Sequence, residues 1–132
     1  RDRKEAFERY LCRCDVPKLP LLLEEASRLI RDAGGKLVIA HPNDPNGTSL
    51  AVLTDSLAEQ LSIIRETMLP HLDGVECWHS RHSQSTIEAY RSFAREEGLI
   101  VTGGSDCHQQ PAVLGTMNIP DYVAKQFEDM TG

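Results

Sequence analysis

The chain has 132 residues, 40% of them hydrophobic, enough for one domain with a modest core. Its formal net charge is −6 and no Lys/Arg cluster occurs, which excludes a broad basic surface of the kind that grips nucleic-acid phosphates. No apolar run approaches the roughly 18 residues of a membrane span, so no membrane partner is expected.

Residues 2–11 read as a helix with Phe7, Tyr10 and Leu11 on one face. Pro17 and Pro20 punctuate the next segment. Pro20 can open a helix in which Leu22, Ala26, Leu29 and Ile30 recur at helical spacing, and Gly34 with Gly35 ends it. Residues 37–40 form a short apolar strand. Residues 41–50, with two prolines, two asparagines and a glycine, form a loop. A helix is predicted over 55–68, opened by Ser56 and Glu59 as a capping box and striped by Leu57, Leu61, Ile64 and Met68. Residues 73–78 make the next strand. The following helix runs over 86–97, with Ser85 and Glu88 as its capping box, Ile87, Tyr90, Phe93 and Ala94 as its buried face and Gly98 as its stop. A strand at 99–102 is broken by Gly103 and Gly104, and a last helix is predicted over 121–130 on Tyr122, Val123, Phe127 and Met130. Strands alternating with helices through short connections indicate an α/β fold with parallel strands. Three strands cannot close a barrel, so the chain reads as an arc of one.

The chemistry concentrates at strand ends. His41 follows the first strand directly, at the end where parallel sheets bind ligands, and Pro42 biases it away from helical backbone. Asp106 and His108 follow the third strand two residues apart. In extended backbone such positions share a face, which makes a carboxylate–imidazole ligand pair for Zn²⁺, Mn²⁺ or Fe²⁺. Cys107 points the other way. The segment Trp78-His-Ser-Arg-His-Ser83 lies between a strand and a helix N-terminus. There Arg81, His82 and Ser83 can meet a phosphate, or the serines simply cap the helix. His82 ranks ahead of His79 in this reading; His71 is structural, Asn43 and Asp44 shape their loop, and Glu76 is a mid-strand carboxylate of undecided role.

The cysteines, Cys12, Cys14, Cys77 and Cys107, include no CxxC pair, and Cys12-Arg-Cys14 has no second pair to complete four zinc ligands. The charged opening Arg1-Asp-Arg-Lys-Glu5 carries no signal-peptide pattern. A reduced, cytoplasmic protein is expected.

Four stretches, in this order, resemble the PHP-domain metal-dependent phosphoesterases: Arg3 to Leu11, Gly34-Gly-Lys-Leu-Val-Ile-Ala-His-Pro42, Leu72-Asp-Gly-Val-Glu-Cys-Trp-His79 with His82-Ser83, and Gly98-Leu-Ile-Val-Thr-Gly-Gly-Ser-Asp-Cys-His108. The similarity is greatest to the branch acting on nucleoside 3′,5′-bisphosphates and short oligonucleotides. The resemblance implies a distorted (β/α)7 barrel whose metal cluster sits at the C-terminal strand ends. It implies His41, Asp106 and His108 as metal ligands, and His82 matches a histidine often present before the helix in this branch. The His-x-His strand that opens such proteins is absent from this sequence. The chain therefore corresponds to their C-terminal arc, with residues 1–35 as the end of an inserted helical segment and a lead-in helix, and 36–132 as β/α units. The expected activity is hydrolysis of nucleotide phosphate esters using divalent metal, with His108 and His82 as catalytic residues. This fragment is expected to turn over weakly or not at all. The competing expectation is a non-catalytic folding or interaction module with a relic site. In either case exposed strand edges invite self-association.

Overall fold

A computed structural model of the protein describes residues 3–46, 48–108 and 114–128. Its centre is one parallel sheet in which β1 (Val38–Ile39), β2 (Gly74–His79) and β3 (Ile100–Gly104) lie side by side in sequence order. Parallel neighbours need long crossovers, and helices supply them. α3 (Leu57–Ile63) lies between β1 and β2, and α4 (Gln84–Glu97) between β2 and β3. α1 (Arg3–Ala6) and α2 (Leu23–Asp32) precede the sheet, and α5 (Tyr122–Glu128) comes after it.

The core forms where α4 packs on β2 and β3 and α3 packs on α4. Val75 and Cys77 of β2 and Val101 of β3 are buried with Tyr90, Phe93 and Ala94 of α4 and with Ile64 just beyond α3. Burying a side chain such as Phe93 contributes about 1.5–3 kcal/mol. Asp73 fixes the sheet's entry: its carboxylate accepts the Leu37 N–H at 2.8 Å and the Arg31 Nε–H at 3.2 Å, tying β1 and α2 to the start of β2. At the far edge the Gln126 side chain pairs with both the N–H (3.1 Å) and the carbonyl (3.2 Å) of Val101, much as another strand would.

The elements fall where sequence places them, with instructive differences. α2 begins at Leu23 and not at Pro20, because Leu22 is still extended. The regular part of α3 is short: it passes into a π turn at Ile64–Met68 and a 3-10 turn at Leu69–His71, where Pro70 has no N–H to continue the ladder. α4 starts earlier than expected because Ser83, not Ser85, is its cap, accepting the Thr86 N–H at 3.1 Å. Gly98 closes it in the left-handed conformation at φ 68°.

β3 is not broken by its glycines. It runs through Gly103 and Gly104 while the β2–β3 register shifts between Glu76 and Trp78. A Cβ at Gly103 would stand 2.6 Å from the Cβ of Trp78, so glycine permits the close approach of the two strands. β1 is shorter and less buried than expected, as suits a strand at the sheet's edge. The apolar face predicted on residues 2–11 is exposed at Phe7, Tyr10 and Leu11, which form a π turn after α1. Residues 129 and 130 of the predicted last helix, Met130 among them, lie outside the described residues. None of the four cysteines forms a disulfide, and no helix among the described residues is long and apolar enough to cross a membrane.

Candidate metal centre

Each strand delivers polar groups from its C-terminal end to the same region. After β1 the chain turns sharply. His41 adopts φ 30°, its carbonyl accepts the Asp44 N–H at 3.0 Å, and the Asp44 carboxylate accepts the Asn46 N–H at 2.9 Å. These bonds turn Asp44 inward, where it is buried. β2 ends on His79, also buried. After β3, Asp106 adopts φ 51°. His41 and Asp106 are the only non-glycine residues with positive φ among the described residues, and both stand at strand ends beside this region.

Asp44, His79 and Asp106 offer ligand atoms within 4.8 Å of one another. His79 Nε2 lies 3.5 Å from Asp106 Oδ2 and makes no hydrogen bond. His79 Nδ1 accepts a long 3.3 Å contact from the Arg81 N–H. The Arg81 guanidinium sits against both acids, bonded to Asp44 Oδ2 and 3.7 Å from Asp106 Oδ2. Burial works to raise the pKa of Asp44, but the Asn46 N–H, the Arg81 guanidinium and His79 outweigh it and hold the carboxyl below the usual range.

Three imidazoles form a wall beside the acids. His79 lies between His41 and His82, with ring centroids 5.6 and 5.1 Å apart, and His82 stacks on Tyr90. Buried nitrogens without hydrogen-bond partners remain on all three rings: His41 Nδ1, His79 Nε2 and His82 Nε2. His82 Nδ1 lies 2.8 Å from the Cys77 carbonyl, which can only accept, so the neutral ring carries its proton on Nδ1 and keeps a lone pair on Nε2. Burial, above all, lowers the pKa of His82 and favours that neutral form.

Of the expected trio, Asp106 alone belongs to this close group. His41 contributes to the imidazole wall, and its N–H donates to Glu76 Oε2 at 2.7 Å, which gives Glu76 a role in holding the turn. His108 does not share a face with Asp106 through extended backbone, because the left-handed turn at Asp106 redirects the chain. Its exposed ring bonds instead to the Asp106 carbonyl at 2.7 Å, with Nδ1 3.4 Å from Asp106 Oδ1. Arg81 reaches the acids and Ser83 caps α4. Sequence reasoning passed over Asp44 and ranked His79 second. The signal for His79 was the one used for His41, a histidine closing an apolar strand.

No family model matches the chain, and no curated protein matches it. Solved structures do match it, these two among them. One, from Bifidobacterium adolescentis and inferred to be a metal-dependent phosphoesterase, is 28% identical with a TM-score of 0.63, over 97% of this chain and 44% of its own. The other, an amidohydrolase from Chromobacterium violaceum with bound sulfate and no metal, is 24% identical with a TM-score of 0.61, over 98% of this chain and 45% of its own. The chain thus shares a metal-dependent hydrolase-like fold with part of these structures and spans less than half the length of either.

Proposed function

We propose that the chain is the C-terminal arc of a PHP-type (β/α)7 phosphoesterase that hydrolyses phosphate esters of nucleotides or short oligonucleotides with divalent metal. The observation that carries this reading is the meeting of Asp44, His79 and Asp106 beyond the ends of three parallel strands. Two carboxylates and an imidazole, without thiolate, suit Mn²⁺, Zn²⁺ or Fe²⁺, and the unpartnered His79 Nε2 fits a ligand role. The similarity to a metal-dependent phosphoesterase supports the choice of reaction.

Asp44, His79 and Asp106 would hold the ion. Ligation through His79 Nε2 would require the ring proton on Nδ1, in exchange for the 3.3 Å contact from the Arg81 N–H. His41 and the exposed His108 flank the centre as further ligands within a complete site. The bound metal would lower the pKa of a water and offset charge on phosphoryl oxygens. Arg81, once off the carboxylates, pairs with a phosphate oxygen, and the N-terminal amides of α4 beside Ser83 favour the same anion. His82, neutral with a free Nε2, serves as a proton acceptor or ligand, and His108, if it were not taken up as a ligand, would instead hand a proton to the leaving oxygen. Residues 36–132 would supply this half of the barrel, with residues 1–35 leading into it. The outer edge of β1 would take a further strand or a second copy of the chain.

The test is metal binding and then turnover. Mn²⁺ should bind the purified chain, and Asp106→Ala should abolish that binding. In a protein carrying the rest of the barrel, phosphate release from a nucleoside bisphosphate should need both Mn²⁺ and Asp106. Undiminished metal content and activity in Asp106→Ala would reject the assignment.

A further inference from the structure

We propose that Gln60 is a positioning residue: through Asn43 it fixes the turn that presents Asp44 and ties that turn to the N-terminus of α4. The proposal rests on Asp44 being the ligand described above. Gln60 is a polar residue with 0% exposure in the middle of α3, where an apolar side chain would fill the space at no hydrogen-bonding cost. Every hydrogen of its amide is used. Nε2 donates to Asn43 Oδ1 at 2.8 Å and to the Thr54 carbonyl at 2.7 Å, and Oε1 accepts from the Tyr90 hydroxyl at 2.7 Å.

Asn43 passes the connection on, since its Nδ2 donates to Thr86 Oγ1 at 3.1 Å. Thr86 Oγ1 lies 2.9 Å from the hydroxyl of Ser83, the cap of α4. One chain of polar groups therefore joins Tyr90, Gln60, Asn43, Thr86 and Ser83. It fastens the residue directly before Asp44 to two helices and to the cap beside Arg81. Packing α3 on α4 does not require this arrangement; holding the turn between His41 and Asn46 at a set distance from the α4 N-terminus does. Buried networks of this kind specify one geometry when fully satisfied and lose it when one member is removed.

The experiment compares Gln60→Met, which keeps length and removes every polar atom, with Ile64→Val, a buried control outside the network. Tyr90→Phe, which deletes one oxygen, serves if Gln60→Met does not fold. Amide hydrogen exchange at Asp44 and Asn46 and Mn²⁺ affinity are measured beside thermal stability. Loss of one buried partner should speed exchange at both amides, and weaken Mn²⁺, by about tenfold beyond the control at equal loss of stability. Exchange at Asp44 and Asn46 no faster than in Ile64→Val at matched stability would overturn the proposal. If the unmutated chain binds no Mn²⁺ while exchange still rises as expected, the positioning role stands and the metal reading falls.

Discussion

The guanidinium of Arg81 and a divalent ion compete for the same two carboxylates, so removing the first should strengthen binding of the second. Arg81 bonds to Asp44 and lies 3.7 Å from Asp106 Oδ2. At that separation one pair of unit charges is worth about 1–4 kcal/mol for effective dielectrics between about 80 and 20. The Arg81 side chain is 41% exposed, so solvent screening puts the appropriate figure near the lower end, about 1–2 kcal/mol. Arg81→Gln should therefore tighten Mn²⁺ binding by about 5- to 30-fold, read by titration calorimetry at low salt, with the gain shrinking as ionic strength rises. The same variant without metal should be less stable, because Asp44 remains buried without its charged partner. Inorganic phosphate, added with Mn²⁺, should bind it more weakly. Mn²⁺ affinity that stays the same or falls in Arg81→Gln would refute the competition, and with it Asp44 and Asp106 as the ion's ligands.

The scaffold yields three further outcomes. Leu37, Arg31 and Lys36 outweigh the burial that works to raise the pKa of Asp73 and hold it below its ordinary 3.8, so its contribution is complete above that pH and drains as pH falls through the lower folded value. The stability gap between the unmutated chain and Asp73→Asn should accordingly narrow as pH falls below the ordinary carboxyl value of 3.8 in acid-unfolding curves. Gly103→Ala sets a Cβ 2.6 Å from Trp78 Cβ and 3.0 Å from its carbonyl, and should cost about 1–3 kcal/mol in urea unfolding while leaving the α4 cap intact. The Cys77 thiol, pushed up to about 12 chiefly by burial, should resist a thiol reagent that labels the exposed Cys12 and Cys14 within minutes; rapid native labelling of Cys77 would contradict the packing of β2.

The α/β alternation was legible because apolar runs and glycine stops mark β2, α4 and β3 without tertiary help, and Gly98 ends α4 where sequence puts it. So was the principle of the site, which says that polar residues just past parallel strands converge. Its membership was not. His79 directly follows the expected strand 73–78, as His41 follows 37–40, yet on sequence alone it ranks behind His82; in the structure it is the last residue of β2. Asp44 sits in a stretch whose prolines and asparagines read as plain loop; only the turn bonds from His41 and Asn46 aim its carboxylate inward. Ser83 and Ser85 each resemble a cap, and the competition is decided by the network reaching Thr86, not by local spacing.

Asp106 and His108 do lie side by side, Nδ1 3.4 Å from Oδ1, but through a left-handed turn and not through extended backbone, and the cause bears on the site itself. An aspartate can occupy the left-handed region at modest cost, so nothing in the sequence distinguishes it from an extended one. For His41 the same conformation is rarer, and it directly precedes Pro42. Such backbone costs on the order of 1–3 kcal/mol and persists only where surrounding bonds over-determine it. Those bonds are present at His41: its N–H is held by Glu76 and its carbonyl by Asp44. Glu76 belongs to β2 and Asp44 to the group of ligands, so the strain at the end of β1 is maintained by contacts that bring Asp44 and His79 together. At the end of β3 the turn at Asp106 swings His108 out to solvent and keeps the Asp106 carboxylate beside Arg81 and His79. The two unfavourable dihedrals thus do one job from opposite sides of β2, setting two acids against one imidazole.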